Sequence, residues 1–124
     1  MLHTEFTLSG ASIIGRDHRN ANAQRNGQDG FHIVRRENCT VAVVADGCGS
    51  SPHSEVGAKL GARLMCEAVG REVDYRGIAH VNWRRVLTNV QSVLDGLVLH
   101  MGSDFRATAE EFFLFTTTAV VLSG

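Results

Sequence analysis

VAVVADGCGSSPHSEVGAKLGARL, residues 41–64, decides how this chain is read. TVAVVA at 40–45 is a continuous run of β-branched and small residues, the pattern of a buried strand. Asp46 ends that run, and DGCGSSP at 46–52 breaks the strand with two glycines and a proline. Ser54 is then placed as the N-cap of a helix, with Glu55 in its first turn, where the helix dipole favours negative charge. Val56, Leu60, Leu64, Met65, Ala68 and Val69 supply its apolar stripe. Gly57, Ala58, Gly61 and Ala62 lie among them. Glycine costs about 1 kcal/mol in a helix interior, so close approach of another element is the expected reason for the two glycines. The helix is expected to end near Gly70.

Upstream, FHIVRR at 31–36 suits a strand that pairs with 40–45 as an antiparallel hairpin through a turn at Glu37 and Asn38. GRDHRNANAQRNGQDG at 15–30 is polar and rich in Gly and Asn. It reads as a long loop, and long ordered loops are often functional. TEFTLSGASII at 4–14 reads as a first strand. Downstream, Trp83, Val86, Leu87, Val90, Leu94, Leu97, Val98 and Met101 keep a three-four spacing, which predicts a helix from about Asn82 to Gly102. Residues 103–111 are polar and expected to be mobile. FFLFTTTAVVL at 112–122 reads as a last strand. Strands precede helices instead of alternating with them, so the fold class is α+β with antiparallel pairing. Four strands and two helices make a thin core, and the last strand is an aggregation-prone edge unless something pairs with it. The expectation is one partial domain over residues 1–124.

Composition narrows the function classes. The chain has 124 residues, 44% apolar and 20% charged, which is globular chemistry rather than disorder. The net charge of -1 gives no field to draw nucleic acid or a membrane surface. Eleven of the 12 basic residues are Arg, Lys59 being the only Lys. The pairs Arg35-Arg36 and Arg84-Arg85 make no nucleic-acid stripe. No apolar run is long enough to span a membrane. MLHTEFTLSG lacks the basic flank and apolar stretch of a secretory signal. The three cysteines, Cys39, Cys48 and Cys66, include no CxxC pair, so reduced thiols in a cytoplasmic protein are expected.

Two places carry candidate chemistry. Asp46 is an acid at the mouth of a buried strand, and Gly47 beside it can turn its carbonyl outward. Both suit a hard cation that prefers oxygen ligands; both also suit a plain turn. Asp29, in NGQDG at 26–30, is the second acid. On this reading Asp29 and Asp46 sit at opposite ends of the hairpin, and the long loop must fold back to join them. Cys48 lies between two glycines with no basic neighbour to activate it, and reads as a small turn residue. His3, His32, His53, His80 and His100 have no ligand spacing.

Gly15 with His18, Gln28-Asp29, VAVVADGCGS at 41–50, Ser54 with Gly57-Ala58, and TTTAVVL at 116–122 together resemble the N-terminal half of a metal-dependent protein phosphatase of the PPM or type 2C family. The loop with His and then Gln-Asp is similar to the bacterial-type branch. The resemblance implies part of a four-layer α/β-sandwich with antiparallel sheets, incomplete as given, since a family domain is about twice as long. It implies two divalent cations, Mn²⁺ or Mg²⁺, with Asp46 bridging both, Gly47 contributing its carbonyl and Asp29 reaching a metal or its waters. Asp46 and Asp29 are thereby the catalytic candidates. His18 and Arg25 are the substrate-binding candidates. Arg25 lies one place from Gln24, where many members carry Arg, and Gln28 replaces a common Glu. The implied activity is hydrolysis of phosphoserine or phosphothreonine in proteins by a metal-activated water. The implied partners are a phosphoprotein substrate and a cognate kinase. The family's other metal aspartates match nothing here, so the chain alone is expected to bind metal weakly and turn over poorly or not at all. The alternative is a non-catalytic phosphatase-like binding module; a third reading is a small metal-binding α+β domain that resembles the family by chance.

Overall fold

A computed structural model describes residues 29–49 and 52–123. The expected strand at 4–14 lies outside the described residues. Strands β1 (Asp29–Arg35) and β2 (Cys39–Gly47) are followed by helices α1 (Ser54–Arg76), α2 (Trp83–Met101) and α3 (Phe105–Phe112), then strand β3 (Phe115–Ser123). A single 3-10 turn, Ile78–His80, joins α1 to α2. The sheet has the order β1-β2-β3, and both pairings are antiparallel. The fold is therefore α+β, as the residue pattern predicts. No described helix is long and apolar enough to cross a membrane.

The alternation of a strand sets the two faces of the sheet. Cys39, Val41, Val43 and Ala45 of β2 are buried in one core with Ala58, Ala62, Met65, Cys66, Val69 and Val73 of α1 and Val86 and Val90 of α2. Residues one step out of phase look away from the helices. On that open face Phe31, Val44 and Val120 are 40%, 57% and 49% exposed.

The glycines of α1 have the reason expected for them. A Cβ on Gly57 would overlap the backbone carbonyl of Phe112, and one on Gly61 would overlap the Phe115 ring. Gly30 meets the helix from the strand side, where an added Cβ would lie 2.7 Å from the Lys59 Cα. Small residues thus let α1 lie close to both β1 and the start of β3.

Four boundaries differ from expectation. Helix α1 does not end at Gly70 but runs to Arg76. Gly70 is an interior residue that makes room for Arg36, whose guanidinium reaches Asp74 at 2.6 Å. The stop is Gly77, at φ +82°, a conformation that favours glycine. Residues 103–111 are largely helix. Asp104 caps α3 by accepting the Ala107 N–H at 3.1 Å, and Arg106 pairs with Glu110 one turn on. Strand β3 accordingly starts at Phe115, after α3 has used Phe112. His53, not Ser54, holds the N-cap position of α1.

Glu72 braces the two long helices. It is 5% exposed, meets Arg76 at 2.8 Å and Arg85 at 3.8 Å, and accepts the Asn82 N–H at 3.4 Å. Glu72→Ala should cost about 1.5–3 kcal/mol in urea unfolding, the range for losing a hydrogen bond to a charged group. Glu110→Ala, at a far more exposed pair, should change stability by about 0.5 kcal/mol or less.

Candidate functional site

Asp29 opens β1 and Asp46 lies one residue before the end of β2. A hairpin reverses the chain, so the first residue of one strand lies beside the last residues of the other. The register pairs Asp29 directly with Asp46. This corrects the expectation that the two acids sit at opposite ends of the hairpin. Both are exposed and share the open face of the sheet. Thr116 of β3 is the partner of Asp46 on its other side, so Asp29, Asp46 and Thr116 form one row across three strands. Sequence reasoning missed Thr116. The signal that finds it is register counting, since TTTAVVL and TVAVVADG pair antiparallel.

The turn after Asp46 is pinned to the α3–β3 junction. The Cys48 N–H donates to the Leu114 carbonyl at 2.9 Å, and the His53 N–H donates to the Glu111 carbonyl at 3.0 Å. The Ser54 hydroxyl donates to the Cys48 carbonyl at 2.8 Å, tying the turn to the start of α1. The His53 ring stacks on Phe112 at 5.3 Å, with its nitrogens 3.6 Å from Glu55 and from Glu111. These contacts fix where β2 delivers Asp46 and Gly47. Beside them opens a depression of about 420 Å³ lined by Asp46, Gly47, Cys48, Leu114, Phe115 and Thr116.

Like charges directly opposite on paired strands are destabilising, by roughly 0.2–1 kcal/mol. A cation held between two carboxylates in that relation would offset such a repulsion. The donors fit a divalent cation in kind, because carboxylate and carbonyl oxygens are hard ligands. Magnesium sites often take one or two carboxylates and complete their shell with water and substrate phosphate. Among the described residues, no three His, Cys, Asp or Glu side chains are grouped to hold a metal. The described donors therefore form an open edge, not a closed cage. His18, Gln24, Arg25 and Gln28 lie outside the described residues.

The cysteines divide by burial, and none is in a disulfide. The Cys66 thiol donates to the Val41 carbonyl at 3.2 Å, and burial pushes its pKa up to about 11. Burial also raises Cys39. Cys48 is exposed. A thiol reagent at pH 8 should label Cys48 in the native protein, and the other two only on unfolding. Folding holds the proton of Cys66 more tightly than the unfolded chain does, so its contribution is intact below the ordinary pKa of 9.0. Stability should fall as the pH rises from there towards 11. Cys66→Ala should flatten that alkaline slope in urea titrations.

Among known protein families, the one described as protein phosphatase 2C matches residues 14–122 of the chain. No curated protein and no solved structure matches it.

Proposed function

Because the chain belongs to the protein phosphatase 2C family, we propose that it serves metal-dependent hydrolysis of phosphoserine and phosphothreonine in proteins. The observation that carries this reading is the direct pairing of Asp29 with Asp46 on an exposed sheet end. Asp46 and Asp29 would hold the divalent cations, with the Gly47 carbonyl as a further oxygen donor. Bound Mn²⁺ or Mg²⁺ acidifies a water and screens the phosphate charge, which makes in-line attack on phosphorus feasible. The chain's own task is to keep these oxygens in place, which the hydrogen bonds at Cys48, His53 and Ser54 support. His18 and Arg25, outside the described residues, are the substrate-binding candidates of this reading. Cys48 takes no part as a nucleophile, because the attacking group is water. A phosphoprotein is the substrate, and a kinase that supplies it is the natural counterpart. The apolar open face of the sheet suits the inner face of a sandwich, the architecture this family implies.

A two-metal site needs more carboxylates than Asp29 and Asp46. The 124-residue chain by itself should therefore bind Mn²⁺ weakly and release little or no phosphate. The activity test belongs to the protein as its source makes it, with a phosphothreonine peptide and a count of released phosphate. Release that requires Mn²⁺ and disappears in Asp46→Asn is the expected result. Phosphopeptide binding without release would favour the second reading, a non-catalytic module. Release that continues in Asp46→Asn would contradict the proposed site.

A further inference from the structure

We propose that Thr116 is a positioning residue for Asp46: when a cation is bound, its hydroxyl donates to one Asp46 carboxylate oxygen and leaves the other turned towards Asp29. The inference rests on the cation-site reading above and adds a residue to it. Residues directly opposite on antiparallel strands have Cβ atoms about 4.5–5.5 Å apart, within reach of a hydroxyl-to-carboxylate hydrogen bond. Thr116 is the residue directly opposite Asp46, and both line the same depression. Thr116 is exposed, so packing does not account for a threonine there. Its β-branched side chain is restricted at χ1, so little freedom is lost when the hydroxyl is held. The neighbouring threonines separate the role from strand propensity. Thr117 is opposite Ala45 on the helix side of the sheet. Thr118 shares the open face with Thr116 but is opposite Val44, which offers no carboxylate.

The test titrates the 124-residue chain with Mn²⁺ alone and counts free Mn²⁺ by electron paramagnetic resonance. Thr116→Val keeps the shape and strand preference and removes the hydroxyl; Thr116→Ala removes it a second way. Both should weaken Mn²⁺ binding about tenfold, the low end for losing a group that orients a metal ligand, while Thr116→Ser stays within about threefold of the parent. Thr118→Val should bind as the parent does, and the urea midpoints of all four should agree. If Asp46→Asn abolishes binding while Thr116→Val leaves it unchanged, the role of Thr116 is overturned and the cation site stands. Failure of Thr116→Ser to restore binding overturns it too, because the hydroxyl is then not what matters. If the parent binds no Mn²⁺, or Asp46→Asn binds as well as the parent, the cation site itself falls and the inference with it.

Discussion

Gly57→Ala should destabilise the protein by about 2 kcal/mol or more, although alanine is the better helix former. The added methyl would sit on the backbone carbonyl of Phe112, and its next nearest atoms are also backbone. A flexible side chain could swing aside; a carbonyl at the α3–β3 junction cannot move without taking β3 with it. Overpacking a core costs about 1–3 kcal/mol and at times more, and the rigid obstacle here places this case at the upper end. The helix preference of alanine returns only about 1 kcal/mol. Gly96→Ala makes the same chemical change on α2, where an added Cβ meets nothing within 4 Å. That variant should gain about 1 kcal/mol. Urea unfolding of the pair checks both signs. Equal effects at the two positions would mean that α1 does not lie against the α3–β3 junction as described.

Asp46→Asn should reverse the order of stability between two buffers. Without divalent cations the variant loses a like-charge repulsion and should be more stable than the parent by up to about 1 kcal/mol. With Mn²⁺ at ten times its dissociation constant the parent gains about 1.4 kcal/mol by mass action, and the variant gains nothing. Thermal melts in chelator and in Mn²⁺ should therefore cross. A parallel shift of both proteins by Mn²⁺ would place the binding elsewhere.

The three described strands and the two long helices are legible in the sequence because their patterns agree at several levels. TVAVVA is buried on β2, and the three-four spacing from Trp83 to Met101 is α2, capped by Asn82 and ended before Gly102. The short α3 was harder to see. Its apolar stripe is short, Phe105, Ala109 and Phe112 over two turns, and only Thr108 is buried; the other signals are the Asp104 cap and the Arg106–Glu110 spacing. Gly70 misled because a glycine that admits Arg36 looks in sequence like one that ends a helix. For the site, Asp46 and Asp29 were recognised, yet their adjacency was not, although the proposed hairpin already required it. Thr116 follows from the same register and could have been counted from it. The closeness of α1 to Phe112 and Phe115 was foreseen in kind from Gly57 and Gly61, but its partners depend on tertiary packing.

On the proposed reading, the end of the sheet where Asp29 faces Asp46 receives a divalent cation. The most direct test of that claim is a Mn²⁺ titration of the isotopically labelled 124-residue chain followed by amide NMR, since the paramagnetic ion erases nearby signals even when it binds weakly. The amides of Asp29, Asp46, Gly47 and Thr116 should be lost first, and Asp46→Asn should keep them. Loss that begins instead at Glu67 and Asp74 or at Glu110 and Glu111, or that spreads evenly over the surface, would contradict the claim.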